Sequence, residues 1–183
     1  MLRIVLAVLA AFAVLLGALL GVAMTRPATY QVQREVEIAA TPAAVFANLE
    51  DFKRWRDWSP WEKLEPEMQR TYAGAERGVG ASYSWQGDKV GSGSTKVTEA
   101  TAPQKLGIEL AFVKPFEETN RQAFSLTPTA AGTRVRWSMH GPLRLGGRVM
   151  SLFTDMDKII GRDFETGLSQ LKQLCEQPAA AAR

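Results

Sequence analysis

Residues 147–177 read GRVMSLFTDMDKIIGRDFETGLSQLKQLCEQ, and the fold turns on that stretch. Val149, Phe153, Met156, Ile160, Phe164, Gly167, Leu171 and Leu174 recur at spacings of three and four, the repeat of one apolar helix face. Arg148, Lys158, Arg162, Glu165, Gln170, Lys172 and Gln173 fall mostly off that stripe, where water can solvate them. Gly146-Gly147 reads as an entry turn and Pro178 as the stop. The spacing predicts one helix of roughly thirty residues, about 45 Å long at 1.5 Å per residue. A stripe that long needs a large apolar partner. Gly161 and Gly167 lie inside it, although glycine in a helix costs about 1 kcal/mol against alanine. Close approach by a strand or a ligand is the reason expected at both positions.

Upstream, the chain supplies strands. Thr133, Val135, Trp137 and Met139 alternate with Arg134, Arg136, Ser138 and His140. Gln122, Phe124 and Leu126 alternate with Arg121, Ala123 and Ser125, and Leu106, Ile108, Leu110 and Phe112 with Lys105, Gly107, Glu109 and Ala111. Ala81, Tyr83 and Trp85 repeat the pattern, as do Val32, Val36 and Ile38, with Arg34 breaking the apolar register. Each run has one apolar and one polar face, as an antiparallel sheet covered on one side requires. Gln86-Gly87-Asp88, Lys114-Pro115-Phe116 and the segment from Pro128 to Gly132 read as turns. Between the first strand and the rest, Thr41-Pro42 reads as N-cap and first position of a short helix carrying Val45, Phe46 and Leu49. Trp55, Trp58 and Trp61 follow within seven residues around Ser59-Pro60. They are expected to plug one end of the core, or to line the mouth of a pocket.

The plan is α+β: a curved antiparallel sheet of about seven strands wrapped on a long C-terminal helix, with two short helices after the first strand. Glycines 78, 80, 87, 91, 93 and 107 are expected to help the sheet bend. A separate segment precedes this domain. Ile4 to Met24 carries no charged or strongly polar residue. At 1.5 Å per residue it spans about 31 Å, the thickness of a bilayer's hydrocarbon core. A signal peptide is the rival, but its apolar region is shorter, and the apolar length favours an uncleaved anchor. The domain organisation read from the sequence is thus 1–24 transmembrane anchor, 25–29 linker, 30–177 soluble domain and 178–183 disordered tail. The soluble domain is expected to be extracytoplasmic, as in a signal-anchor protein.

Residues 30–177 resemble the Bet v 1/START-type helix-grip superfamily (SRPBCC), most closely its polyketide cyclase/dehydrase-like branch. The residues that carry the resemblance are Thr41-Pro42-Ala43-Ala44-Val45-Phe46, Asp51-Phe52, Trp55, Trp58 and Ser59-Pro60-Trp61. Further matches are Tyr72-Ala73-Gly74, Gly78-Val79-Gly80 with Tyr83-Ser84-Trp85, Gly132 to Trp137, and at the close Asp155-Met156-Asp157, Gly161, Asp163-Phe164-Glu165, Gly167-Leu168 and Leu171-Lys172. The resemblance implies the helix-grip fold and a space for lipids, sterols, hormones or polyketides; only some members do chemistry.

Composition and motifs narrow the function. The net charge is +3 without a long basic run, so no nucleic-acid partner is expected. One cysteine, Cys175, excludes a disulfide framework. The single histidine, His140, lies on the polar parity of its strand, away from any pocket. No metal and no cofactor is expected, since no ligand set has the spacing. The candidate ligand-binding residues are Tyr83, Trp85, Leu110, Phe112, Phe124, Trp137, Met139, Met156, Ile160 and Phe164, all on inward parity or on the helix stripe. They offer apolar area and few proton-transfer groups. The leading expectation is a membrane-tethered module that binds an apolar small molecule or lipid, and an enzyme is not favoured. The alternatives are a cyclase or hydratase acting on a polyketide-like or aromatic substrate, and an interaction domain with a filled core. A cavity of roughly 300 Å³ or more separates the first two from the third.

Overall fold

The computed structural model describes residues 1–115 and 117–177. Its elements run α1 (Leu2–Met24), β1 (Thr29–Ile38), α2 (Pro42–Leu49), a 3-10 turn (Phe52–Arg54), α3 (Trp55–Trp58) and α4 (Pro60–Leu64). Then come β2 (Gln69–Ala73), β3 (Ser82–Gln86), β4 (Ser92–Thr101), β5 (Lys105–Lys114), β6 (Glu118–Thr129), β7 (Gly132–Pro142), α5 (Leu145–Met150) and α6 (Met156–Glu176). The strands form one antiparallel sheet in the order β1-β7-β6-β5-β4-β3-β2. α6 lies across it, so the helix-grip plan holds. Phe116, in the turn expected after β5, and the tail at 178–183, with Pro178, lie outside the described residues.

Strand alternation places the core where the sequence put it. Val135, Trp137 and Met139 of β7 are buried, while Arg134, Arg136 and His140 are exposed. β4 carries register shifts at Ser92/Gly93 and at Val97/Glu99, and such bulges bend and twist a strand. The glycine expectation is met differently in part: Gly78, Gly80 and Gly91 have positive φ and shape the turns that join the strands.

The C-terminal stretch departs from the single long helix. It breaks at Ser151–Asp155, giving the six-residue α5 and the 21-residue α6. Asp155 causes the restart, because its carboxylate accepts from the Asp157 N–H at 3.0 Å as an N-cap. Phe153 therefore leaves the stripe and is 77% exposed. From Met156 onward the stripe is kept, with Phe164, Leu168 and Leu171 buried.

Both helix glycines are approached by side chains from the sheet. A Cβ on Gly161 would overlap the Arg34 guanidinium, and one on Gly167 would stand 2.9 Å from Trp137 Cζ3 and 3.1 Å from Pro60 Cδ. Arg34, the residue that breaks the apolar register of β1, reaches across to α6. Its Nη1 donates to Asp157 Oδ1 at 2.9 Å and its Nε to Glu165 Oε1 at 2.6 Å, clamping β1 onto α6 one turn either side of Gly161. The hydrogen bond from Arg34 holds the Asp157 carboxyl below its ordinary range.

Beside that clamp the core is an aromatic stack. Phe164 lies parallel to Trp137 at 4.0 Å between ring centroids, and Trp137 stacks in turn on Phe124 at 4.9 Å. Trp58 meets the stack edge-on, 5.6 Å from Trp137. The tryptophan segment is fixed to α2 by its polar atoms. Trp55 Nε1 donates to Leu49 O at 2.9 Å and Trp58 Nε1 to Asn48 O at 3.2 Å, which satisfies carbonyls that the last turn of α2 leaves without a helical partner. Phe164→Ala is expected to destabilise the protein by about 3–5 kcal/mol, the range for a buried phenylalanine. Denaturant melts of the full-length chain in micelles check this, and a loss below about 1 kcal/mol would place Phe164 outside the core.

Candidate functional site: a cavity between sheet and helix

The aromatic stack fills one end of the space between sheet and helix, and the other end is open. A cavity of about 390 Å³ remains there. Its apolar wall comes from Trp55, Trp61, Leu64 and Met68 on one side, Tyr83, Trp85, Val90, Leu110, Phe112 and Met139 on the sheet, and Met156 and Ile160 on α6. Tyr30, Ser59, Glu62, Lys89, Thr95, Glu118, Asn120, Gln122 and Asp163 complete it.

Of the residues expected to bind a ligand, Tyr83, Trp85, Leu110, Phe112, Met139, Met156 and Ile160 face this cavity, whereas Phe124, Trp137 and Phe164 do not. Inward parity found the covered face, but position along each element decides between filled core and cavity. On β6, Asn120 and Gln122 line the cavity and Phe124, two residues on, is in the stack. On β7, Met139 lines it and Trp137 does not. On α6, Met156 and Ile160 line it and Phe164, one turn later, closes it off. The boundary is marked by the Trp137 indole, whose N–H donates to Gln122 Oε1 at 3.0 Å. The tryptophan segment serves both roles foreseen for it: Trp58 is fully buried in the plug, and Trp55 and Trp61 line the cavity.

The polar groups on the wall were largely missed. Glu62 on α4 is buried, takes a hydrogen bond from Arg70 Nε at 2.8 Å and a short one from the Tyr83 phenol. Burial first, and the bond to Glu62 second, push the Tyr83 hydroxyl far above the ordinary phenol range, so it stays protonated. Asp163, half-buried on α6, has its carboxyl raised by desolvation, with the Trp61 indole N–H acting the other way. Glu65 at the end of α4 accepts from the backbone N–H groups of Asp88, Lys89 and Val90, holding the β3–β4 turn that carries two wall residues. Among the described residues, no group of three His, Cys, Asp or Glu side chains is placed to hold a metal ion. Cys175 is half-buried, and burial raises its thiol, which makes it a poor nucleophile.

Sequence comparison assigns the domain. The family described as "Polyketide cyclase / dehydrase and lipid transport" matches residues 29–176. The chain belongs to this family. Solved structures share the fold at low identity. Protein CV1439 of Chromobacterium violaceum aligns with TM-score 0.60 and 15% identity over 84% of this chain and 100% of its own. MLL2253 of Mesorhizobium loti gives 0.58 and 19% over 79% and 96%, and the Aha1 dimer of Colwellia psychrerythraea gives 0.58 and 16% over 81% and 97%. No curated protein matches at significance. The residues matched by the family begin at 29, after the end of α1 at Met24, and α1 itself is long and apolar enough to cross a membrane.

One pH dependence follows from Asp163. Its folded carboxyl is raised above the ordinary value of 3.8. As pH rises through 3.8 the unfolded chain ionises first, so stability falls from there up to the folded value and then stays level. Asp163→Asn is therefore expected to stabilise the protein at pH 7, with the gain vanishing below about pH 3.8, the unperturbed carboxyl range. Thermal melts of both proteins at pH 7 and pH 3 check it. A gain of the same size at both pH values would show that carboxyl titration is not its source.

Proposed function

We propose that the protein is a membrane-tethered binding module, with α1 as its anchor, that holds a hydrophobic small molecule or lipid between sheet and α6. The cavity of about 390 Å³ carries this reading. Its size falls in the range of small-molecule sites. It would take about thirteen waters at ~30 Å³ each, against a wall to which aromatic, methionine and aliphatic side chains contribute more than half of the residues. An apolar ligand gains about 25 cal/mol for each Å² it buries there. The family's description supports the reading, since it names lipid transport.

Tethering rests on α1. Its residues are exposed along nearly the whole helix, down to Ala23, which is buried. At that end α1 rests beside α5, and Leu145, Met150 and Phe153 are exposed around it, where a bilayer would cover them. In this reading the domain sits on the extracytoplasmic side.

A second reading, a cyclase or dehydrase acting on a substrate in the same cavity, is favoured by Asp163, a carboxyl of raised pKa on the wall. The size of the space weighs against the third expectation, an interaction domain with a filled core. Tryptophan fluorescence of the full-length protein in lipid nanodiscs tests the binding reading, with polycyclic aromatic hydrocarbons as ligands. Saturable quenching is expected, weakened at least tenfold by Ile160→Asp or Phe112→Asp and unchanged by His140→Ala. Absence of saturable binding would refute the binding reading. Catalytic consumption of a ligand that stops with Asp163→Asn would favour the enzyme.

A further inference from the structure

The polar side of the cavity says which apolar molecules it accepts, an argument that rests on the binding reading above. Tyr83, Thr95, Leu110 and Asn120 stand opposite one another on β3, β4, β5 and β6 and form one row across the sheet. All are buried and all line the cavity. Most polar groups near this row are committed within the chain. The Tyr83 hydroxyl is bonded to Glu62, Glu62 is paired with Arg70, and Gln122 Oε1 receives the Trp137 indole.

Two are not committed. Among the described residues, Asn120 Nδ2 and Thr95 Oγ1 have no hydrogen-bond partner, although their residues are only 1% and 3% exposed. A buried donor without a partner is costly. The Asn120 amide is also held in place. Tyr30 Oη donates to Asn120 Oδ1 at 3.1 Å, which leaves Nδ2 as the end that faces a ligand. Gly141 stands beside it, and a Cβ there would overlap Oδ1. Tyr30 and Gly141 are opposite residues of β1 and β7, so two strands cooperate to seat this one amide. An arrangement built around a free N–H pair calls for an oxygen acceptor.

Charge narrows the class further. The wall carries the carboxylates Glu62, Glu118 and Asp163, and Lys89 as its cation. Lys89 is exposed, and Glu62 is already neutralised by Arg70. Burial and the neighbouring Glu118 both raise the Tyr30 phenol, the response of a site that disfavours added negative charge. A ligand carboxylate would meet Glu118 and Asp163 with no buried cation to pair with.

We propose that the cavity selects neutral apolar molecules carrying a carbonyl or hydroxyl oxygen, taken by Asn120 Nδ2 with Thr95 as a second polar contact, and rejects carboxylates such as free fatty acids. The test uses full-length protein in nanodiscs and three ligands of one shape at pH 7: fluorene, its ketone fluorenone, and fluorene-9-carboxylate. Fluorenone is expected to bind at least tenfold more tightly than fluorene after correction for partitioning into the nanodisc lipid, and the carboxylate more weakly than either. The double variant Asn120→Ala/Thr95→Val is expected to bring the ketone-to-hydrocarbon ratio close to one while fluorene itself still binds. The wild-type ratio decides alone if that variant does not fold. Equal binding of fluorene and fluorenone, or tightest binding of the carboxylate, overturns the assignment of ligand class and leaves the binding reading standing. Failure of all three to bind overturns both.

Discussion

The stack of Phe164 on Trp137 is the constraint on which the rest depends. It is the point where α6 meets β7, next to the edge strand β1, with rings parallel at 4.0 Å. Gly167 lets the helix come that close, because any side chain there would press on Trp137 and Pro60. Trp58 and Phe124 complete the cluster, so the short helix α3, two strands and α6 share one aromatic contact. Dense packing at this end fixes the height of the helix above the sheet. Toward the start of α6, methionine and isoleucine replace the stacked ring and do not reach across the same gap. The cavity is the space left over.

At that end the helix is also tied to β1 by charge, beside the packing of Ile160 on the core. Arg34 reaches from β1 to Asp157 and Glu165 over the bare backbone of Gly161. Aromatic packing at Phe164 and the ion-pair clamp from Asp157 to Glu165 keep α6 in place without filling the space between it and β4–β6. A domain stabilised only by a filled core could not leave a gap of about 390 Å³ there. The capping carboxylate of Asp155 serves the same end, since it starts α6 at the clamp and frees the preceding residues to form α5 beside the end of α1.

The fold was legible because its signals are local. Period-two alternation gave the strands and their buried faces, and the spacing of Met156, Ile160, Phe164, Gly167 and Leu171 gave the gripping helix. The break before Met156 was not, because Asp155 acts as a cap only once its backbone turns, and the apolar spacing from Val149 to Met156 continues through it. Parity also could not divide a covered face into core and cavity. Trp137 and Met139 share a face, yet one is stacked and the other borders empty space, a difference set by which part of α6 lies opposite. Residues such as Thr95, Asn120 and Gln122 carried a usable signal, as polar side chains on inward parity. Glu62 carried none, being on a five-residue helix whose orientation depends on the tryptophan plug.

The central claim is that the space between sheet and α6 is a binding site rather than a packing remnant. Native mass spectrometry of the full-length protein, released gently from membranes, tests it most directly. The account predicts one bound small molecule per chain, absent from the Ile160→Asp protein. Bare chain alone, in wild type and variant alike, would contradict it.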